Sequence, residues 1–479
     1  MAKICIICEG SYPYVVGGVS SWVHDLIQIN KEHEFALLCI IPSEEFAVEK
    51  YELPENVREV KNIVLNPEHE VSTLKIMKNN FLRDKTLEER FKKAMNFKEV
   101  EPRESLEVMD ELTGGKFGNP KEIIVSKLYW NSLVGHYNSS YDDTNYNVFY
   151  WTHRNIFLNL LSLMTEEIPE ADVYHSVATG YAGFISAVAG QRNMGKVLLT
   201  EHGIYPRERE EEILGSPWIE KNFKETWVDF FYYLSKLTYT YADEIVSLFE
   251  YNKNLQIEYG ADRKKCTVIT NGVDIERFQR IEKKSRKGFN VGSVFRVVPI
   301  KDVKMMLKAI KTAKRRMKDA NFYLIGPTDE NEEYYDECLK LMRDLNMESY
   351  VTFTGKSNVD EYYEFLDLLL LSSISEGQPL SILEGMASGI PVIATDVGNC
   401  REILIGKKDI GEAGIIVPPT SYTDLAEAMV KLYQNRDRLK EMGDNGIEIV
   451  KKYYRRDEFI RRYKELYERL GEGDGRNRI

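Results

Sequence analysis

Between Leu366 and Gly398 the chain reads LDLLLLSSISEGQPLSILEGMASGIPVIATDVG, and no other stretch restricts the fold so much. The unbroken apolar run Leu368–Leu371, closed by Ser372 and Ser373, predicts a strand buried on both faces, as in a parallel sheet. Pro379 suits a first helical position and Gly389 the residue just past a helix end, and Pro391 blocks continuation into the next apolar run, Val392–Ala394. Strand, loop, short helix and strand follow in that order. Glu376 then falls in the loop at the carboxyl end of a strand and Glu384 on the helix behind it, at the edge where open α/β sheets bind ligands.

The spacing of the two glutamates selects among chemistries. Were the segment helical throughout, eight residues would separate them by roughly 12 Å. Two carboxyls acting together on one glycosidic bond stand about 5 to 9.5 Å apart, so a hydrolytic pair is disfavoured. Holding hydroxyl-rich groups at either end of a diphosphate fits better. The amides of Gly377, Gln378 and Leu380 lie between the two acids at a helix N-terminus, a natural phosphate seat to which Pro379 contributes no N–H. Glu384 is set among Leu380, Ile382, Leu383, Met386 and Ala387 in a helix with no other charge, which argues against an ordinary solvated residue.

A chain of 479 residues exceeds one compact core, so two domains are expected. A net charge of −12 gives no reason to expect nucleic acid. Met1–Cys8 reads as a first strand rather than a signal peptide, and no apolar run approaches the roughly 20 residues that span a bilayer. The expectation is a cytoplasmic protein, recruited to the inner face of the plasma membrane if it works there. Cys5 and Cys8, three apart on a strand, point to opposite faces and cannot share a ligand. There is no Asp-x-Asp triplet of the kind that holds a divalent metal against a nucleotide diphosphate, so neither metal nor cofactor is expected.

Taken in order, strand Lys3–Cys8 is followed by a loop ending in Gly17-Gly18 and by a helix carrying Val19, Trp22, Val23, Leu26 and Ile27; Gly18 there lets a ligand approach bare backbone. Residues 66–155 read as a helical insertion carried by the first domain, either a lid or acceptor surface or plain helical decoration. Strands resume at Ala171–Ser176 and Lys196–Thr200, placing His202 at a strand's carboxyl end. The charged run Arg280–Lys287 marks a boundary, giving an N-terminal domain 1–279, a C-terminal domain 280–446 and a long helix from 447 that packs back on the first domain. The second half again alternates: strand Asn290–Val298, helix Val303–Met317, strand Asn321–Ile325, helix Glu332–Leu345 and strand Val351–Thr354, a doubly wound α/β pattern. Arg296 and Lys301 flank the point where the first of these strands enters its loop, two cations suited to a diphosphate and to charge on a leaving group.

Together, SEGQPLSILEGMASGIPVIATDVG, Arg296 with Lys301, Asn271-Gly-Val-Asp274 and Gly17-Gly18 resemble the retaining family-4 glycosyltransferases of GT-B fold. More narrowly, EGSYPYVVGGVSSWVHDLI and EHGIYPRERE resemble the PelF type, cytosolic enzymes of Pel exopolysaccharide synthesis. The resemblance implies two Rossmann-like domains facing across a cleft, and a nucleoside diphosphate sugar, expected to be UDP-linked, as donor. By that likeness Arg296 and Lys301 bind the diphosphate, Glu384 the ribose and Glu376 the transferred sugar with the backbone of Gly377, Gln378, Pro379 and Leu380. Lys356 meets the base through its main chain, His202 contacts the sugar, and Gly18 approaches the diphosphate. Phe295-Arg296-Val297 departs from the family's Gly-Arg-Leu while keeping the arginine. The expected partners are a nucleotide sugar, a glycan acceptor and membrane proteins of an exopolysaccharide export complex. An epimerase acting on the donor alone, or a non-catalytic nucleotide-sugar sensor, are the competing readings.

Overall fold

The computed structural model describes residues 1–65, 72, 84–141, 144–217 and 219–472. The chain divides into two compact units, Met1–Val268 joined by the chain from Tyr463 on, and Ile269–Arg462.

The first unit holds a seven-stranded sheet in the order β3-β2-β1-β4-β5-β6-β7. Its strands are β1 Lys3–Glu9, β2 Glu34–Ile41, β3 Val57–Val64, β4 Val173–Ser176, β5 Lys196–Glu201, β6 Glu244–Ser247 and β7 Cys266–Val268. Every pairing is parallel, as in Ile4 opposite Phe35 and Val173. The five central residues of β1 are buried, including Cys5 and Cys8, which are free thiols. Strand β3 has no counterpart in the sequence reading, because its exposed Arg58, Glu59 and Val60 break the apolar pattern.

Within the predicted insertion, residues 66–71, 73–83 and 142–143 lie outside the described residues. The remainder forms helices Lys85–Ala94, Pro102–Thr113, Pro120–Ile124, Lys127–Ser140 and the start of Tyr146–Thr165. Phe91, Phe97, Leu106, Tyr129 and Phe157 bury themselves in one core with Ile7, Leu38 and Phe184. The region is thus continuous with the sheet's own packing.

The second unit holds six parallel strands in the order β10-β9-β8-β11-β12-β13. These are β8 Phe289–Val294, β9 Ala320–Ile325, β10 Val351–Gly355, β11 Leu368–Leu371, β12 Val392–Thr395 and β13 Gly414–Val417. Along β11 the side chains divide by parity. Leu368 and Leu370 join the core containing Met306, Ile310 and Met429, whereas Leu369 and Leu371 join the one containing Leu383, Met386 and Ile449. Burial of both faces is what an uninterrupted leucine run requires.

Both sheets therefore run 3-2-1-4-5-6 from their first strand, the doubly wound order. In the second unit, chain order reverses direction between β8 and β11; in the first, between β1 and β4. The architecture is α/β with two Rossmann-like units.

Two expected boundaries move. The division falls at Val268 and Ile269 rather than at 279, because Val273 N–H donates to the Tyr454 carbonyl (2.9 Å) and Arg456 N–H to that of Val273 (3.2 Å), tying residues 269–279 to the second unit. A Cβ on Gly272 would lie 2.5 Å from the Arg455 carbonyl oxygen, so only glycine permits this approach. The same pairing interrupts the predicted single helix from 447. Helix Arg436–Tyr453 ends, Tyr454 turns away from helical geometry, and helix Arg456–Gly471 begins. Tyr463 and Tyr467 of that last helix are buried in the first unit, where Tyr467 is hydrogen-bonded to His175 (2.7 Å) and Tyr463 to Thr200 (3.0 Å).

Candidate active site at the carboxyl edge of the second sheet

The loops leaving β8 and β11 meet at the reversal point of the second sheet. Ile374 N–H donates to the Ile300 carbonyl (2.8 Å), Ser372 Oγ to the Lys301 carbonyl (2.7 Å), and Thr395 Oγ1 to the Ser373 carbonyl (2.7 Å). So fastened, the loops pair Lys301 Nζ with Glu376 Oε1, and Ser373 Oγ donates to the same oxygen at 2.6 Å. The two charged side chains keep only 17% and 12% of their exposure, so their attraction is screened far less than that of a surface pair. Asp302 follows in the left-handed region (φ 45°), and its carboxylate accepts from Met305 N–H to cap helix Val303–Lys314.

Behind Glu376 the backbone is held from two sides. Asn399 N–H donates to the Gly377 carbonyl (3.1 Å), and Gly398, at φ +54°, comes so close that a Cβ there would sit 2.4 Å from the Glu376 carbonyl oxygen and 2.2 Å from that of Gly377. The Gln378 side chain accepts from Asn271 N–H (2.7 Å), pinning the loop to the Asn-Gly-Val-Asp segment.

Pro379 is the N-cap of helix Leu380–Ala387 rather than its first residue. Pro379 offers no side-chain cap, and among the described residues the Leu380 and Ser381 amides have no side-chain partner, which leaves the helix end open to an anion. Gly389 follows the helix at φ +71°, as the sequence predicts.

Glu384 is half-buried on this helix. The Tyr363 hydroxyl donates to its Oε2 at 3.3 Å, and Arg277, itself paired with Asp360 at 2.9 Å, lies near enough to favour the ionised form. Burial outweighs both and pushes the carboxyl up to about 7.

The remaining predicted residues are placed as follows. Strand β8 stops at Val294, so Arg296 lies in the loop beyond it, where it pairs with Glu330 (2.6 and 2.7 Å) rather than with Glu376. Lys356 is exposed immediately after β10, beyond Gly355 at φ +67°.

In the first unit His202 follows β5, with the Trp22 ring edge-on at 4.6 Å. Burial lowers its imidazole to about 4, and its buried Nε2 has no hydrogen-bond partner among the described residues. It is therefore neutral at pH 7. Gly18 opens helix Gly18–Ile29, with nothing within 4 Å of the place a Cβ would take.

Sequence reasoning missed several neighbours. Ser373, Tyr363 and Arg277 carry no spacing signal, since each reaches its carboxylate through the fold. In the first unit it also missed Glu9 at the end of β1, whose carboxylate accepts from Ala182 N–H (3.2 Å) and the Tyr205 hydroxyl (3.0 Å), and Glu201 at the end of β5. Position at a strand's carboxyl end was the signal available for both.

Residues 2–264, more than half of the chain, match the family described as Domain of unknown function (DUF3492). The chain belongs to that family. Residues 274–449 of this DUF3492 member match Glycosyl transferases group 1, a range that encloses Arg296, Lys301, Glu376 and Glu384. It is 31% identical over 243 residues to an uncharacterized glycosyltransferase of Methanocaldococcus jannaschii, a match covering 50% of this chain and 63% of the relative. It is 27% identical over 304 residues, 60% of this chain and 77% of the relative, to N,N'-diacetylbacillosaminyl-diphospho-undecaprenol alpha-1,3-N-acetylgalactosaminyltransferase of Campylobacter jejuni. Among solved structures, Anabaena HepE in complex with UDP superposes with a TM-score of 0.60 at 14% identity, covering 98% of this chain and 100% of that one. The fold is accordingly GT-B, and domain and relatives together class the DUF3492 member as a glycosyltransferase.

Proposed function

We propose that this glycosyltransferase moves a sugar from UDP to a hydroxyl of a glycan acceptor, with retention of configuration and without a metal. The observation that carries the reading is the Lys301–Glu376–Ser373 cluster beside the uncapped N-terminus of helix Leu380–Ala387, at the reversal point of the second sheet. A diphosphate seated on that helix end draws Lys301 from Glu376, which frees the carboxylate for hydroxyls of the transferred sugar. Lys301, the helix amides and Arg296, released from Glu330, then stabilise the charge that builds on the departing nucleoside diphosphate. Glu384, beside Tyr363, accepts the ribose hydroxyls. Lys356 meets the base through its main chain. His202 and Gly18 are the first unit's contribution, to the sugar and the diphosphate respectively.

Retention follows if the acceptor hydroxyl attacks from the face the diphosphate leaves, its proton passing to the leaving phosphate oxygen. The choice of UDP is supported by the HepE complex, and that of a glycan acceptor by the Campylobacter relative, named for transfer to a glycosylated diphospho-undecaprenol. The resemblance of EGSYPYVVGGVSSWVHDLI and EHGIYPRERE to the PelF type supports a role in exopolysaccharide synthesis, with the protein recruited to the inner face of the plasma membrane by an export complex. Among the described residues no helix is long and apolar enough to cross a membrane, so membrane proteins would supply that attachment.

A thermal-shift panel of UDP, GDP and ADP sugars tests the donor, because selective binding raises apparent stability by mass action. The expected result is a shift with UDP sugars alone; equal shifts, or none, overturn the assignment. With the responsive donor, the anomeric configuration of the product, read by NMR, tests retention.

A further inference from the structure

The first unit carries a concave aromatic surface that none of the donor chemistry uses. Helix Tyr146–Thr165, Ile219 and Glu220, and the first turns of helix Lys221–Tyr241 line a cavity of about 300 Å³, with Trp151, Trp227 and Phe223 together with Asn147, Thr152 and Asn155. That is the lower end of the size of small-ligand sites. Trp151 is 55% exposed, and Arg154 stacks over it at 5.1 Å. From Trp151 the rings continue outward without a gap: Tyr150 lies 5.3 Å away, Trp130 6.4 Å from Tyr150 and Tyr146 6.1 Å from Trp130. Trp130 is itself 49% exposed.

Two large exposed rings, Trp151 and Trp130, joined through the half-buried Tyr150, cost solubility and ask for an occupant. The chemistry of this surface narrows the choice. Its polar members are two amides and a hydroxyl, with Glu220 as the charged lining residue. Among the described residues that line the cavity none is cationic, as an acidic lipid surface or a nucleic acid would ask, and Arg154 beside it is engaged with Trp151. A protein partner needs a much broader face, about 800 Å² on each side. A pyranose has an apolar C–H face that lies flat on an aromatic ring and a rim of hydroxyls and acetamides that pair with amide and hydroxyl side chains. A chain of such rings matches a track of aromatics.

We propose that this surface binds a neutral or N-acetylated glycan. The proposal rests on the cavity and its lining, and stands apart from the transferase reading.

The test is binding of the full chain to an array of neutral and N-acetylated oligosaccharides of one to six residues, with anionic vesicles as the comparison surface. Binding is expected to strengthen with glycan length and to weaken roughly tenfold or more in Trp151→Ala, the loss typical of truncating a central aromatic anchor. Trp151→Phe, which keeps a stacking ring, is expected to retain most of it. Slow release of UDP from UDP-sugar in the absence of acceptor is expected to be unchanged in both variants. Absence of array binding, array binding insensitive to Trp151, or capture by vesicles alone each overturns the proposal. Trp151-dependent glycan binding in a protein that shows no UDP-sugar turnover leaves the site standing and refutes the transferase reading.

Discussion

Replacing Glu384 by glutamine separates what this carboxyl does for binding from what it costs the fold. Its carboxyl ionises at about 7 against an ordinary 4.5, chiefly because burial strips water from the charged form, with the Tyr363 hydroxyl and Arg277 opposing and Asp360 adding to the rise. The sign follows. In the unfolded chain the group loses its proton near 4.5, whereas in the folded chain it keeps it up to about 7. Between those values the native state binds more protons, so stability falls as pH rises, and above pH 7 the whole penalty is present. At about 1.4 kcal/mol per pH unit, that penalty is about 3 kcal/mol. Glu384→Gln removes it. The variant is expected to melt above wild type at pH 8 and with wild type below pH 4.5.

If the ionised carboxylate accepts ribose hydroxyls, UDP-sugar binding favours the charged form and expels the proton. At pH 7, with the group half protonated, binding is expected to release about half a proton. Isothermal titration calorimetry in buffers of different ionisation enthalpy measures that number directly, and it is expected to vanish in Glu384→Gln. A wild-type binding enthalpy independent of buffer, or the same proton number in the variant, refutes the assignment of Glu384 to the ribose.

Lys301→Ala is expected to lower transfer by about 10²- to 10³-fold, the cost of removing one preorganised group from developing charge, while shifting the UDP-sugar Kd far less; paired kcat and Kd measurements check it. Because the variant strands a buried carboxylate, Lys301→Ala/Glu376→Ala is expected to melt above Lys301→Ala alone. Gly398→Ala forces a methyl against the Glu376 and Gly377 carbonyls at a positive φ, so donor binding is expected to be lost while the circular dichroism spectrum stays folded. Tyr467→Phe removes the hydroxyl bonded to His175 (2.7 Å) and is expected to cost about 1 kcal/mol, or more where His175 is left unpaired. His175 is held neutral to about 3 by burial, while in the unfolded chain it takes up a proton near 6.5. Wild-type stability is therefore expected to fall as pH drops below 6.5, which denaturant titrations across that range measure.

The doubly wound order was legible because its signals are local. Leucines at 368–371, Pro379, Gly389 and Pro391 each act within a few residues, and the structure places strand, loop, helix and strand where they imply. Edges were less legible. The charged run Arg280–Lys287 looks like a linker from composition, yet the unit begins eleven residues earlier, at Ile269, since the deciding interaction is a backbone pairing of Val273 with residues 454–456 that no side chain announces. Of the site, the residues on the loops after β8 and β11 could be named from position alone. Their partners could not: Ser373 lies three residues from Glu376, but Tyr363 lies 21 from Glu384, and Glu330 lies 34 from Arg296. Helix spacing says nothing about such contacts, which depend on neighbouring strands.

A raised carboxyl pKa does not by itself mark a ligand site, and the two units supply the contrast. Glu201, buried at the end of β5, also ionises at about 7. Its Oε2 accepts from the Tyr239 hydroxyl (2.8 Å) and from Gln256 (2.9 Å), and its Oε1 lies 3.4 Å from both Tyr205 N–H and Thr179 Oγ1. Such a carboxyl is already surrounded by the protein's own donors and works as a knot joining β5 to helices Lys221–Tyr241 and Glu250–Glu258. Glu384, half-buried, also loses water, but among the described residues it receives one hydrogen bond, a long one at 3.3 Å from Tyr363. An acid that is desolvated and left short of donors is destabilising unless a ligand brings them, and the two hydroxyls of a ribose are donors of the right kind and number. The difference in satisfied acceptors, rather than the shared pKa, is what separates the two acids: Glu201 is tied into the fold, and the open acceptors of Glu384 support its proposed contact with a ribose.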